Sequence, residues 1–114
     1  MKLTEIVEFL SAKVITCEDR LDQEVKYGFA SDLLSDVLTV DSDSMLLLTG
    51  MANLQAIRTA EMAEIKCVAF VRDKKMTPEM IELASENNLV TIETPFSMFQ
   101  SVAILHEKGL KPVY

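Results

Sequence analysis

The sequence predicts an α/β fold, a largely parallel sheet with flanking crossover helices. Met45-Leu46-Leu47-Leu48-Thr49-Gly50, Lys66-Cys67-Val68-Ala69-Phe70-Val71 and Val90-Thr91-Ile92-Glu93-Thr94 are short apolar runs at near-constant spacing. Each leads into a stretch of helical periodicity. Strand then helix, repeated at short intervals, is the pattern of a parallel sheet with crossover helices.

Leu3, Ile6, Val7 and Leu10 follow i, i+3, i+4, i+7 spacing and predict an opening amphipathic helix. Thr4 is a start signal, and Glu5 and Glu8 suit the positive end of the helix dipole. Lys13-Val14-Ile15-Thr16 reads as a first strand and Cys17-Glu18-Asp19-Arg20 as a turn. Glu24 to Phe29 alternates apolar and polar residues, as a strand with one wetter side does. Ser31 to Leu38 reads as a helix capped by Ser31 or Asp32, with Leu33, Leu34, Val37 and Leu38 facing inward. Asp41-Ser42-Asp43-Ser44 is the turn into the repeat.

A helix is expected from near Asn53, with Leu54, Ile57, Ala60 and Met62 among its apolar residues. Thr77-Pro78-Glu79 is a strong helix start: Thr at the cap, Pro at the first helical position, Glu in the first turn. Met80, Ile81 and Ala84 form its inner stripe, and Asn87-Asn88 end it. Thr94-Pro95-Phe96-Ser97 precedes a last helix carrying Phe99, Val102, Ala103 and Leu105. Gly109 fits the residue after its end, and Pro112 stops continuation.

The 114 residues are read as a single domain with one core. Eleven basic against 18 acidic residues give a formal charge of −7, which disfavours general binding to nucleic acid or anionic membranes. No segment has the length of a membrane span. Glu5 and Glu8 break what an export signal would need as an apolar stretch, so the reading is cytoplasmic. Cys17 and Cys67 read as reduced, buried thiols.

Parallel sheets put binding sites beyond the carboxyl ends of their strands. The turns to examine are Thr49 to Asn53, Arg72 to Thr77 and Thr94 to Ser97. Thr49 and Gly50 offer a hydroxyl and a close backbone approach at a helix start, where free amides attract anions. The alternative is a tight turn at Gly50 with Asn53 as cap. Ser97 reads as a helix cap or, with Thr94, as part of the same site. Arg72, Asp73, Lys74 and Lys75 form the densest basic cluster, either a phosphate's counter-charge or a solvated loop. Arg58 fits an ion pair with Glu61 or packing of its stem.

Phe29-Ala30-Ser31-Asp32-Leu33-Leu34-Ser35-Asp36-Val37, Leu46-Leu47-Leu48-Thr49-Gly50, Met80 to Asn88 and Thr94-Pro95-Phe96-Ser97-Met98-Phe99 recur here in order and spacing. In these the chain resembles the DRTGG domain family and, more widely, the N-terminal domain of bacterial HPr kinase/phosphorylase. The resemblance covers nearly the whole chain. It implies the α/β fold shared by the N-terminal domains of MurF and HPr kinase. It also implies an accessory role, since such domains occur alone or joined to CBS, pyrophosphatase or acetyltransferase domains. The family's Asp-Arg-Thr-Gly-Gly string is reduced here to Thr49-Gly50 followed by Met51, which removes the second glycine's freedom.

Phosphoryl-transfer machinery is missing. A P-loop needs G-x-x-x-x-G-K-[ST], and none of Gly28, Gly50 or Gly109 is followed by Lys-Ser or Lys-Thr. His106 has Val102, Ala103, Gly109 and Leu110 at helical neighbour positions, and neither cysteine has a CxxC partner, so no metal site is expected. No nucleophile motif and no cofactor are expected either. Met51, Met76, Met80 and Met98 fall near the rim, either as core filling or as part of a homodimer or partner interface.

The sequence is therefore read as a non-catalytic regulatory or ligand-sensing domain, a homodimer. Its expected ligand is small and anionic, a nucleotide or other phosphorylated molecule, at Thr49, Gly50, Asn53, Arg72, Thr94 and Ser97. The alternative is an adaptor for a larger metabolic enzyme or sensor.

Overall fold

The computed structural model describes residues 1–40 and 44–114. Its elements are α1 (Leu3–Phe9), β1 (Lys13–Thr16), a 3₁₀ turn (Glu18–Arg20), β2 (Tyr27–Ala30), α2 (Leu34–Val37), β3 (Met45–Thr49), α3 (Leu54–Met62), β4 (Cys67–Phe70), α4 (Pro78–Glu86), β5 (Val90–Glu93), α5 (Met98–Glu107) and β6 (Lys111–Pro112). The strands form a six-stranded sheet in the order β1-β5-β4-β3-β2-β6. β2, β3, β4 and β5 are parallel in sequence order, with β6 parallel beside β2. The three repeated runs are thus neighbours pointing the same way.

Every residue of β3, β4 and β5 is buried, because helices cover both faces of the sheet. Alternation along each strand divides the apolar residues into two cores. Met45, Leu47, Val68 and Phe70 pack with residues of α2, α3 and α4 on one face. Leu46, Leu48, Ala69, Val90 and Ile92 pack with α1 and α5 on the other. Each helix presents one apolar stripe: Ala56, Ile57 and Ala60 from α3, Met80 and Ala84 from α4. Thr77 caps α4, accepting from the Met80 amide at 3.3 Å, with Pro78 following. Gly109, just past α5, has φ of 109°, a backbone that favours glycine.

Three local expectations are corrected, and the largely parallel sheet carries one antiparallel edge, where β1 pairs with β5. The register breaks at Thr16, and its hydroxyl replaces the lost ladder. It donates to Leu89 O at 2.7 Å, accepts from the Thr91 amide at 3.0 Å, and lies 2.7 Å from the Thr91 hydroxyl. The strand expected over 24–29 is shifted. Val25 donates to Met1 O at 2.9 Å and Glu24 bridges Lys2, so β2 begins only at Tyr27. α2 is a single turn, its N-cap position held by Leu33, and Leu33 and Leu38 are exposed. Pro112 does not merely end a helix. It lies in β6, an edge strand where its missing N–H costs nothing to the outer side.

Met76 and Met80 belong to the core, so the methionine interface expected at the rim keeps only exposed Met51 and half-buried Met98. Residues 41–43 of the expected turn lie outside the described residues. Among the described residues, no helix is long and apolar enough to cross a membrane.

Candidate functional site

β2, β3, β4 and β5 end on one edge of the sheet, at Ala30, Thr49, Phe70 and Glu93. The turns that follow are stitched together through the backbone. Ser31 N donates to Leu48 O at 3.1 Å, Val71 N to Thr49 O at 3.0 Å, and Thr94 N to Phe70 O at 2.9 Å. Arg72 N donates to Phe96 O at 2.8 Å and Asp73 N to Thr94 O at 3.0 Å. The rim is therefore a continuous shelf rather than separate loops.

Arg72 and Asp73 both adopt left-handed backbone, with φ of 61° and 60°. For L-residues this costs roughly 1–2 kcal/mol each, and it persists because the bonds to Phe96 and Thr94 fix both amides. The consequence is directional. The Arg72 guanidinium lies against Gly50, in the space that a Cβ at position 50 would occupy. Glycine is needed there for close approach, not for an unusual φ.

The guanidinium Nη2 stands 3.5 Å from Asp32 Oδ2, an ion pair between half-exposed groups. Such a pair contributes about 0–1 kcal/mol. The other carboxylate oxygen is held more firmly: Asp32 Oδ1 accepts from Gly50 N at 2.6 Å and from the Thr49 hydroxyl at 3.3 Å. Thr49 Oγ1 in turn accepts from Met51 N at 3.1 Å. Asp32 thus spans to the next strand's turn and does not cap its own helix.

Behind the shelf, Glu93 is a buried carboxylate at the end of β5. Its Oε2 accepts from Met76 N at 2.8 Å and its Oε1 lies 3.7 Å from Lys75 Nζ. This fixes the returning half of the β4–α4 turn. Lys75 also donates to Asp73 at 3.0 Å, and that hydrogen bond raises its pKa and keeps it charged. Lys74 is exposed and makes no ion pair among the described residues.

Among solved structures similar to the chain is that of the CBS and DRTGG domains of the regulatory region of Clostridium perfringens pyrophosphatase, complexed with its activator diadenosine tetraphosphate. The TM-score is 0.75 at 19% sequence identity, over 98% of this chain and 48% of that one. The two share a fold. The present chain spans about half the length of its neighbour. No family model matches the chain, and no curated protein matches it.

The structure brings Thr49, Gly50 and Arg72 into one cluster, gives Asn53 and Ser97 the helix-cap roles that were their other reading, and turns Thr94 inward. Asn53 caps α3, accepting from Ala56 N at 3.0 Å. Ser97 caps α5, accepting from Gln100 N at 3.1 Å. Thr94 is buried; its hydroxyl donates to Leu10 O at 2.7 Å and accepts from Phe96 N at 3.2 Å. Sequence reasoning missed Asp32 and Glu93. Asp32 follows the carboxyl end of β2, so the rule that selected the other turns would have found it had β2 been counted in the parallel set. Glu93 was visible as an acid inside an apolar strand run, a placement that requires a partner.

No group of three or more His, Cys, Asp or Glu able to hold a metal occurs among the described residues. Cys67 is buried, and burial pushes its thiol pKa up; partial burial does the same, more weakly, to Cys17. Neither is a poised nucleophile.

Proposed function

We propose that this chain is a non-catalytic regulatory domain of the DRTGG type that senses a small phosphorylated ligand, a nucleotide being the leading class. The observation that carries the reading is Arg72, strained in left-handed backbone and laid over Gly50 where neighbouring strands end. Strain of this kind clusters at ligand clamps. Arginine's planar fork matches phosphate geometry, and exposed Lys74, which makes no ion pair among the described residues, stands two residues along the same turn. The neighbour's diadenosine tetraphosphate supports the ligand class, and the order of the sequence motifs supports kinship with the N-terminal domains of HPr kinase and MurF.

A thermal-shift series with ATP, ADP, diadenosine tetraphosphate and pyrophosphate tests the ligand. A ligand present at 100 times its Kd adds about 2.7 kcal/mol of apparent stability. Arg72→Gln should abolish the shift while leaving the unliganded melting temperature nearly unchanged. No shift with any of the four at millimolar concentration removes the ligand-sensing reading.

The homodimer and adaptor readings draw on a different surface. Phe99 and Val102 of α5 are 87% and 42% exposed. Val102 lines an apolar hollow of about 110 Å³ with Phe29, Leu48, Leu105 and Leu110. Exposed aromatic and aliphatic groups beside a hollow favour protein contact. Sedimentation of the chain and of Phe99→Asp separates the cases: a dimer that Phe99→Asp dissociates supports self-association, and a wild-type monomer removes it.

A further inference from the structure

The donors that would receive an anion at this rim are already occupied by the protein's own carboxylate. Asp32 Oδ1 takes the Gly50 amide at 2.6 Å and the Thr49 hydroxyl at 3.3 Å, while Oδ2 faces the Arg72 guanidinium at 3.5 Å. These donors come from β3 and from the β4–α4 turn, whereas Asp32 comes from the β2 turn. A carboxylate and a phosphate oxygen are alike in charge and in acceptor geometry. Asp32 is also 45% exposed, so its side chain can leave toward water without unpacking the core.

We infer that Asp32 is a built-in competitor, an internal anion that an oxyanion ligand must displace to reach Gly50 and Arg72. The inference rests on the reading that the rim binds a phosphorylated ligand, and it adds how that binding is set. Only the fraction of molecules with Asp32 turned away is competent, so apparent affinity falls by that fraction. The site consequently favours ligands carrying more than one phosphate charge, since a single weak anion exchanges one carboxylate for its equivalent. Ligand entry also releases Asp32 from the β3 turn, which couples the site to the β2–α2 connection.

Calorimetric titration of the intact chain with inorganic pyrophosphate, ATP and adenosine tests this. Asp32→Asn keeps an oxygen acceptor for the Gly50 amide and loses the charge. Removing a competitor that holds nine-tenths of the molecules tightens binding about tenfold. Asp36→Asn removes the same charge four residues away and should change affinity less than twofold. Tightening for pyrophosphate alone assigns the site to free phosphates, and tightening for both pyrophosphate and ATP assigns it to a nucleotide's phosphates; either supports the inference, and adenosine should bind in neither case.

Wild-type binding that Asp32→Asn leaves equal or weakens overturns the inference alone. Equal tightening by Asp36→Asn overturns it too, leaving only the overall field. If no variant binds any probe, the ligand reading falls together with it. Should Asp32→Asn not fold, Asp32→Ser is the second variant. In the wild type, pyrophosphate should shift the Gly50 amide resonance and leave that of Ala56, capped by Asn53, in place; an unmoved Gly50 resonance at saturation overturns the inference.

Discussion

Arg72 and Gly50 are neighbours across the β3–β4 rim, and the guanidinium of one fills the volume a side chain at the other would require. Gly50→Ala should therefore move Arg72 and spare the fold. The displaced atoms are the free end of a flexible side chain, and the Arg72–Asp32 pair is half-exposed. A stability loss under about 1 kcal/mol is expected, together with loss of phosphate-dependent thermal shift. Urea unfolding and ligand titration on one sample check both halves.

Glu93 holds the Met76 amide from inside the core. Glu93→Ala should cost about 1–3 kcal/mol by leaving that N–H unpaired. Glu93→Gln keeps an acceptor and should cost less. Urea midpoints of the two variants, compared at equal slope, give the order.

Thr94→Val removes a hydroxyl that ties the β5–α5 turn to the end of α1 through Leu10 O. The variant leaves a buried carbonyl and the Phe96 amide without their partner, a loss of about 1–3 kcal/mol. If Thr94 acts only as this latch, ligand affinity measured below the unfolding range should change less than about twofold, a shift of under about 0.4 kcal/mol.

Ser101 lies in α5 against the sheet, fully buried, and its hydroxyl has no hydrogen-bond partner among the described residues. Ser101→Ala removes an unsatisfied group without opening a large cavity. A gain of about 1 kcal/mol is expected, which for a domain of this size raises the melting temperature by roughly 4 °C. A scanning calorimetry trace that moves downward contradicts it.

Cys67 supplies a pH dependence. Burial raises its thiol pKa in the folded chain above the ordinary value of 9.0. The folded state then keeps a proton that the unfolded chain gives up. The associated stability is complete below pH 9.0 and is lost as pH rises above it, at a slope of about 1.4 kcal/mol per unit. Cys67→Ala should flatten this alkaline decline in denaturant midpoints between neutral pH and pH of about 10. Native protein should also react with a thiol reagent at Cys17 only, with Cys67 appearing on unfolding.

The parts of the fold that depend on local pattern were legible in the chain. Met45–Thr49, Cys67–Phe70 and Val90–Glu93 announce themselves as strands because both their faces are covered. Thr77 and Ser97 announce helix starts because the cap bonds only to residues three positions on. The strand over Lys13–Thr16 was legible, but its antiparallel pairing with β5 was not, and neither was the two-residue β6. Both pairings are with strands far away in sequence, and β6 has too few residues to show a period of its own.

By itself the sequence determined the parallel β3, β4 and β5, the helices between them and the candidate turns, since hydrophobic periodicity and capping act over a few residues. Only the tertiary structure decided which side chains meet at the rim. Asp32 reads as a cap in the chain and becomes the partner of Gly50 and Arg72 in space, while Thr94 turns inward to Leu10. The reason is physical: a hydrogen bond between residues that the sheet brings together leaves no periodic trace in either segment.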